Sequence, residues 1–567
     1  MSIVNGRLGR RSDVLASCNL LRNPFIKTEP PDEALDEVFV GREEQILDAA
    51  MRVFDGPRNL LIVGGYGYGK TTFVRKLMRE LIQAKRVRFV VGYAPLLHDS
   101  PEGFQLAALT ALVEGALAAA EEGSALQESA MQTREELARL EPESRGGRSP
   151  DLRFRDLLKQ LRQAGVHRAV VAIDEVDKRE ARVVQEVVMG SRALLDTDAS
   201  FVLTGRYMDI FSDIRSSLMA AFDHRIELSP FSREESRQII QRNLKAARQR
   251  DEPSSSLEPF EPETVDSILD RAKGLPRPLN LMAYGALELA LREAIATGAP
   301  PGPGTVRVKL AHLEHALQQE GNLIFNEVGE QARDILKQIF RKKGYVSGAD
   351  LDALSPAGGV PKALQELEQL TREDALLRIE VGGSPAFVLT PQVETSLQGL
   401  EVRRKRLREL WETAREQAST PRAGPSLEDF AGVFFEEAFT VRERNARTDT
   451  EEIDLVLEVS PEKTNLVFQK SPYLLVECKN WQASKVNQTA VTKLAGLLGL
   501  RHLSQGFLLT TGEFTADARQ QAANAAQASQ VEVVLIDGAA IEVFLEDVKP
   551  LGDFLVELHR HQMLRMR

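Results

Sequence analysis

The chain has 567 residues, with 72 Lys and Arg against 83 Asp and Glu, a formal net charge of −11 and 43% hydrophobic residues. This length indicates several domains of roughly 100–200 residues each, and the composition excludes a disordered or fibrous protein. The acidic total excludes a uniformly basic nucleic-acid coat, although it permits local basic surfaces. Two cysteines are too few for a disulfide framework. No run reaches the ~20 apolar residues of a membrane span, so we expect a cytoplasmic protein with no membrane partner.

Helical and strand patterns divide the chain into predicted domains. Prolines 24, 30 and 31 predict an extended or poorly ordered entry. Apolar strands such as NLLIV (59–63) and RAVVAI (168–173) alternate with helices, which predicts a parallel α/β sheet. The predicted parts are an N-terminal extension (1–35), an α/β core (36–228), a helical region (229–320), three helices with a β-hairpin (321–400), a basic helical linker (401–426), a second α/β domain (427–550) and a tail (551–567).

A glycine-rich segment follows the first of these strands and precedes a helix. It reads G-x-x-x-x-G-K-T, the pattern in which backbone N–H groups enclose phosphates at the start of a helix. The alternative is a glycine-rich turn with an incidental lysine, but the flanking strand and helix favour a phosphate site. Lys70 would contact the β- and γ-phosphates of ATP, and the Thr71 hydroxyl would bind Mg²⁺. The predicted binding residues are Gly64, Gly65, Tyr66, Gly67, Tyr68, Gly69, Lys70, Thr71 and Thr72.

Two acids end a buried strand about a hundred residues later, in VVAIDEVDK. Ligands of an open α/β sheet bind at the carboxyl ends of its strands. Asp174 is therefore predicted to hold Mg²⁺, and Glu175 to orient and polarise the attacking water. Solvated acids are common at strand ends, so this prediction depends on the phosphate loop beside it.

The first half of the chain resembles the AAA+ ATPases, especially the origin-recognition and transposition branch. FVGRE (39–43) stands where that family contacts adenine, and FVLTG (201–205) places Thr204 at its first sensor position. GLPRPLN (274–280) makes Arg277 the predicted γ-phosphate contact from a helical lid, with a helix-capping arginine as the alternative. The resemblance implies a homo-oligomeric ring or filament with ATP between subunits. The family's arginine finger has no clear counterpart, and Arg206 and Arg215 are the candidates.

A second chemical pattern lies in EEIDLVLE (451–458) and YLLVECKNW (473–481). Neighbouring strands would bring Asp454, Glu477 and Lys479 to one sheet edge, with Glu477 and Lys479 on the same face. Two carboxylates that bind Mg²⁺ and a lysine that positions or deprotonates water suffice for phosphodiester cleavage. The bare pattern is frequent by chance, because charged residues often occupy strand edges.

Residues 427–545 resemble the Mrr-like branch of the PD-(D/E)xK restriction-endonuclease fold, from LEDFAGVFF through TTGEFT to LIDG. The resemblance makes Asp454, Glu477 and Lys479 the catalytic set and Glu436 a weaker candidate for a metal contact. Many members carry glutamine where this chain has Glu477, which makes the site here more anionic. Cys478 and Trp481 are predicted to be packing residues.

The segment between these domains has the pattern of a winged helix, with 360–373 as its recognition helix. It holds 8 basic and 11 acidic side chains, so direct DNA reading and a protein-contact role both stay open. The nuclease-like region (421–550) is also acidic, with 12 basic against 19 acidic side chains. VRRKRLR (402–408) has five basic residues, which fit either phosphate contact or pairing with the acidic domain.

Together these patterns predict a multidomain α/β protein that acts as an ATP-regulated, Mg²⁺-dependent DNA endonuclease. Its oligomer would cluster weak nuclease sites, and its role would be prokaryotic defence against phage or foreign DNA. One alternative is a nucleotide-dependent scaffold in transposition or replication. Another is a DNA repair motor with an accessory nuclease.

Overall fold

The apolar strands of the first half form a five-stranded parallel sheet. Strands β1 and β4 pair in the register Leu60↔Val202, and the sheet order is β2-β3-β4-β1-β5. Helices cover both faces, so the strands are apolar along their whole length, as parallel strands usually are. The strands span Leu60–Val63 (β1), Phe89–Pro95 (β2), Arg168–Asp174 (β3), Ser200–Gly205 (β4) and His224–Glu227 (β5).

The computed structural model separates the chain into two units, residues 1–395 and 396–567. Within the part of the chain that it describes, no helix is both long and apolar enough to cross a bilayer. The described residues are 3–25, 34–84, 87–139, 149–176, 181–205, 221–249, 256–298, 302, 304–342, 345–347, 350, 359–381, 384–418, 423–447, 452–460, 464–546 and 550–564.

Nine helices are described from the N-terminus to strand β4. One departs from the prediction: residues 3–17 form a helix, although an extended entry was expected. Val14 and Leu15 of this helix are buried in the core of the helical region, which compensates for its weak amphipathic pattern. The helices span Ile3–Ser17 (α1), Leu35–Val38 (α2), Glu43–Asp55 (α3), Lys70–Ile82 (α4), Pro101–Ala119 (α5), Ala125–Arg139 (α6), Pro150–Gln163 (α7), Ala181–Gly190 (α8) and Arg192–Leu195 (α9).

The predicted helical region contains four described helices. The first begins with a capping box, in which Ser232 and Glu235 exchange side-chain and backbone hydrogen bonds. The helices span Arg233–Ala246 (α10), Pro262–Ala272 (α11), Pro276–Thr297 (α12) and Leu310–Glu327 (α13).

A small module follows, which we call the hairpin module (residues 330–389). Its antiparallel sheet has the order β6-β8-β7, with β7 and β8 forming the predicted hairpin. The predicted recognition helix is present within one residue of its expected bounds. The elements span Glu330–Lys342 (α14), Val346–Ser347 (β6), Gly359–Arg372 (α15), Leu376–Val381 (β7) and Ser384–Leu389 (β8).

The second unit has a mixed five-stranded sheet in the order β13-β12-β11-β10-β9. Strand β10 runs antiparallel to β9 and β11, while β11, β12 and β13 are parallel. The boundary between the units lies within helix α16. The elements span Pro391–Glu416 (α16), Ala423–Phe435 (α17), Thr440–Arg447 (β9), Glu452–Glu458 (β10), Tyr473–Lys479 (β11), Gln488–Leu500 (α18), Gln505–Thr510 (β12), Ala516–Ser529 (α19), Glu532–Ile536 (β13), Gly538–Glu546 (α20) and Leu551–Leu564 (α21).

Candidate functional site

The glycine-rich segment forms a tight loop between β1 and α4. Gly67 and Gly69 have φ angles of +78° and +80°, a left-handed conformation that glycine adopts without strain. The Lys70 amine is buried and donates hydrogen bonds to the carbonyls of Gly64 and Gly65, at 3.1 and 2.9 Å. Thr71 and Thr72 lie in the first turn of α4. The loop thus surrounds the amine at a helix N-terminus, and both features suit a bound phosphate.

Asp174, at the end of β3, is held by donors on both neighbouring strands. Its Oδ1 accepts hydrogen bonds from the Thr204 hydroxyl on β4 at 2.7 Å and from the Glu175 N–H at 2.8 Å. Its Oδ2 accepts from the Tyr93 hydroxyl on β2 at 2.7 Å. The structure therefore brings together two predicted residues, Asp174 and Thr204, and adds Tyr93. This carboxylate has a fixed orientation, which suits it to a cation site.

Glu175 has a φ angle of +62°, which is unusual for a residue with a Cβ atom. Such a conformation costs roughly 1–2 kcal/mol and is concentrated at functional sites. The strained turn follows directly after the fixed Asp174 carboxylate.

Arg42, in the predicted adenine-contact segment, donates a hydrogen bond to the phosphate loop. Its guanidinium donates to the Tyr68 carbonyl at 2.8 Å and to the Ser229 carbonyl at 2.9 Å. It also lies over the Phe231 ring, 4.1 Å from the centroid. The segment thereby links the loop to the start of the helical region.

Arg277, in the first turn of α12, lies beside the phosphate loop. Its guanidinium is 4.8 Å from the Tyr66 ring centroid, and it donates to the Asp374 carboxylate of the hairpin module at 2.8 Å. The arginine-finger candidates Arg206 and Arg215 lie outside the described residues.

The second candidate site lies on strands β10 and β11. The Asp454 carboxylate accepts a hydrogen bond from the Cys478 N–H at 2.6 Å. The Lys479 amine donates to Glu477 at 2.6 Å, and the Lys493 amine of α18 is 3.5 Å from the same carboxylate. The structure brings the three predicted residues together, and Lys493 is an addition that the strand pattern does not reveal.

Electrostatics in this site favour a cation. Burial is the main reason that the pKa of Asp454 is raised to about 6; the nearby Glu477 and Glu428 carboxylates add to it, and the hydrogen bond from the Cys478 N–H opposes it. Two partly buried carboxylates repel each other unless a positive charge lies between them. A divalent cation therefore fits the chemistry of Asp454 and Glu477. Within the described residues, no three His, Cys, Asp or Glu side chains form a preassembled metal cluster.

Glu428, a helix acid that the sequence analysis did not single out, acts on Asp454 electrostatically, whereas Glu436 as a metal contact stays a prediction. Burial raises the pKa of Glu428, and its charge acts on Asp454. Glu436 instead accepts a hydrogen bond from Arg444 at 3.3 Å. The first acid of LEDFAGVFF is the signal that could have identified Glu428.

Two further residues near this site, Cys478 and Trp481, differ in their burial. Cys478 is buried as predicted, whereas Trp481 is 40% exposed and so is not the packing residue that was expected. Three arginines of VRRKRLR, within the second unit, contact its nuclease-like domain: Arg403 and Arg408 donate to the Val433 and Leu545 carbonyls, and Arg404 lies over the Phe544 ring. These contacts favour pairing with the acidic domain over phosphate contact.

Two family models match the chain. The AAA ATPase domain matches residues 38–197, and the Mrr catalytic domain, described as a restriction endonuclease, matches residues 423–545. The chain joins an AAA ATPase domain to an Mrr-like restriction endonuclease domain. The two family resemblances predicted from the sequence are confirmed, and the protein is an enzyme with ATPase and endonuclease domains.

Solved structures similar to the chain cover about two thirds of its length. The ORC2 protein of Aeropyrum pernix, solved as ADPNP-ADP complexes, is 14% identical with a TM-score of 0.38, over 64% of this chain and 96% of that one. The ORC1 protein of Aeropyrum pernix in complex with DNA is 16% identical with a TM-score of 0.36, over 66% and 97%. Thermotoga maritima RuvB is 17% identical with a TM-score of 0.34, over 66% and 99%. Likeness at this level assigns no function. No curated protein matches the sequence.

The raised pKa of Asp454 predicts a pH-dependent gain in stability from Asp454→Asn in metal-free buffer. The pKa of about 6 in the folded protein exceeds the ordinary value of 3.8 for an aspartate carboxyl. The folded state thus keeps its proton to higher pH, and ionisation destabilises it progressively as pH rises from about 4 to 6. Urea unfolding should show a gain of about 2 kcal/mol at pH 7 and roughly a third of that gain at pH 4.5. An equal gain at both pH values would contradict the burial of this charge.

A matched pair of substitutions tests the helix acid. Glu428→Gln is expected to lower DNA cleavage by roughly 10- to 100-fold, the range seen when groups that support a metal site are removed. Glu436→Gln, eight residues further on, removes the same charge from an exposed pair with Arg444 and should change cleavage little. Initial rates on supercoiled plasmid measure both. Equal effects would mean that Glu428 has no special place in the site.

Proposed function

We propose that the protein is an ATP-regulated, Mg²⁺-dependent DNA endonuclease that acts as a homo-oligomer. The observation that carries the proposal is the convergence of Asp454, Glu477 and Lys479 on neighbouring strands of the nuclease domain. An inactive scaffold would be under no constraint to keep these three residues together. The same chain retains the phosphate loop with Lys70 enclosed.

Each of the two domains has side chains that could bind Mg²⁺. In the nuclease domain Asp454 and Glu477 would hold Mg²⁺, and in the ATPase domain Thr71 and Asp174 would hold it. When bound, Mg²⁺ neutralises charge on the phosphate group and lowers the pKa of water. The Lys479 amine, directed at Glu477, orients the attacking water through its remaining N–H donors. In the ATPase domain Glu175 accepts a hydrogen bond from the water that attacks the γ-phosphate, while Asp174 stays fixed by Tyr93 and Thr204.

Oligomerisation explains how an acidic nuclease domain would act on DNA. Residues 421–550 hold 19 acidic and 12 basic side chains, so a single domain should bind the phosphate backbone weakly. Linking several weak sites in one assembly raises avidity by roughly 10²–10⁴ without a new contact. ATP bound between subunits would then control cleavage by controlling assembly.

A cytoplasmic role in prokaryotic defence against phage or foreign DNA is the biological part of the proposal. A nuclease held inactive until an ATP-dependent step assembles it would spare the host chromosome. The hairpin module, with its helix α15 and β-hairpin, is proposed to be a winged helix that contacts protein more than DNA, because α15 carries Glu366 and Glu368 and its end is followed by Glu373 and Asp374.

The test is a plasmid assay with the purified full chain. Supercoiled DNA is incubated with Mg²⁺ and ATP, with a non-hydrolysable ATP analogue, with no nucleotide, or with ATP and EDTA. We expect cleavage that needs Mg²⁺ and is stimulated by nucleotide. Light scattering of the same samples should show a nucleotide-dependent increase in mass. Cleavage that is independent of nucleotide would overturn ATP regulation, and an absence of cleavage under all conditions would favour the scaffold.

A further inference from the structure

The hairpin module contacts Arg277, the side chain of the helical region that was predicted to bind the γ-phosphate. Arg277 and Asp374 form an ion pair at 2.8 Å, with side-chain exposures of 38% and 33%. Asp374 lies in the turn between α15 and β7, at a φ angle of +57°. Aspartate tolerates this left-handed conformation better than most residues do. The turn thus presents a carboxylate to the arginine that was predicted to contact the γ-phosphate.

An apolar contact holds the same module against the phosphate loop. Tyr68, in the middle of the loop, is 2% exposed and packs with Leu377 on β7 and Val388 on β8. Leu275, which precedes α12, completes this cluster. A loop residue whose side chain lies in the core of another module cannot move independently of it.

The end of helix α15 faces the loop as well. Glu368, Thr371 and Arg372 line a small cavity together with Gly65 and Tyr66 of the phosphate loop. The end of the predicted recognition helix therefore lies beside the phosphate loop. The apolar cluster joins the module to the loop, the ion pair joins it to Arg277 beside the loop, and the cavity lies between the module and the loop.

We propose that the hairpin module is an autoinhibitory latch on the ATP site, in which Asp374 competes with the nucleotide's phosphates for Arg277. The idea rests on the proposed function in taking residues 64–72 as an ATP site and Arg277 as a contact to its phosphates. A guanidinium paired with a carboxylate is neutralised, and that carboxylate repels an incoming triphosphate. ATP binding must break the ion pair, so it favours release of the module. By linkage, release of the module favours ATP binding by the same factor.

The latch predicts that removing one charge strengthens nucleotide binding. In the full chain, Asp374→Asn keeps the shape of the turn but loses the ion pair. The dissociation constant for a fluorescent, non-hydrolysable ATP analogue with Mg²⁺ should fall by roughly 5- to 30-fold, within the usual range of coupling between sites. Glu373→Gln is the matched control: it removes an adjacent, exposed acid that pairs with Gln369, and it should leave the constant unchanged.

A double-mutant cycle separates competition from other effects. If Asp374 acts through Arg277, adding Asp374→Asn to an Arg277→Ala protein should give no further gain in affinity. Hydrogen exchange gives a second readout. The saturating analogue should speed exchange in residues 364–379 of the wild-type protein, because the module leaves the loop.

Three results would overturn the latch: weaker analogue binding by Asp374→Asn, unchanged binding, or exchange in residues 364–379 that the analogue does not alter. Weaker binding would instead make Asp374 a positioning residue that aims Arg277 at the phosphates. None of these measurements uses DNA, so the latch can fail while ATP-stimulated cleavage persists. Conversely, cleavage that proves independent of ATP would leave the binding result standing.

Discussion

Replacing Lys479 with alanine is expected to abolish DNA cleavage while ATP hydrolysis continues. The Lys479 amine donates a hydrogen bond to the Glu477 carboxylate at 2.6 Å. Removing a group that positions or deprotonates water lowers a rate by typically 10²–10⁴. The phosphate loop lies in the other unit of the chain, at residues 64–72, so its chemistry does not depend on this amine. Plasmid cleavage and phosphate release from ATP, measured on one preparation, test both parts.

The Lys479→Ala variant is expected to keep a folded nuclease domain. Glu477 is 6% exposed, and an unpaired buried carboxylate would destabilise the domain. Lys493, 3.5 Å away, remains as a positive neighbour, so Lys479→Ala is expected to fold. Lys405→Ala removes an exposed lysine of α16 and serves as the control for the loss of one positive charge. Full cleavage by a folded Lys479→Ala protein would show that the Asp-Glu-Lys pattern is not the nuclease site.

Features set by local sequence were predicted well. The strands around 60–63 and 168–174 were evident as short apolar runs, since a parallel strand covered on both faces has no polar side. The phosphate loop was evident from glycine spacing, because left-handed residues next to a helix start demand that residue type. The strand pair carrying Asp454 and Glu477 followed from the two-residue periodicity of β-strands. In each case one stretch of chain contains the information.

Features set by contacts between distant segments were not predicted. Tyr93 reaches Asp174 because β2 lies beside β3 in the register Tyr93↔Ala172, and the sequence of β2 alone does not reveal its neighbour. Helix α17 and the two residues after it carry four acids, and the sequence alone does not show that the charge of Glu428 acts on Asp454. The prolines at 24, 30 and 31 predicted an extended entry, whereas helix α1 is stabilised by docking on the helical region. Arg11 there pairs with Glu288 at 2.7 Å.

Replacing Lys70 with alanine tests the link between the two domains, and it is expected to remove both ATP hydrolysis and the stimulation of cleavage by ATP. The amine is held in place by hydrogen bonds to the Gly64 and Gly65 carbonyls. A preorganised charge in a site sheltered from water is worth far more than one in solution. Loss of one such donor lowers turnover by roughly 10²–10³-fold.

The control is another lysine of the same helix. Lys76 of α4 forms ion pairs with Asp36 and Glu80, away from the loop, and Lys76→Ala should leave ATP turnover intact. Lys70→Ala with normal turnover would mean that the glycine-rich loop is not the ATP site. Loss of turnover with cleavage still stimulated by ATP would mean that binding rather than hydrolysis regulates the nuclease. If Lys70→Ala no longer binds nucleotide but still cleaves DNA at the full wild-type rate, the ATPase domain does not control the nuclease. A nuclease that is assembled by ATP cannot act at full rate when ATP no longer binds.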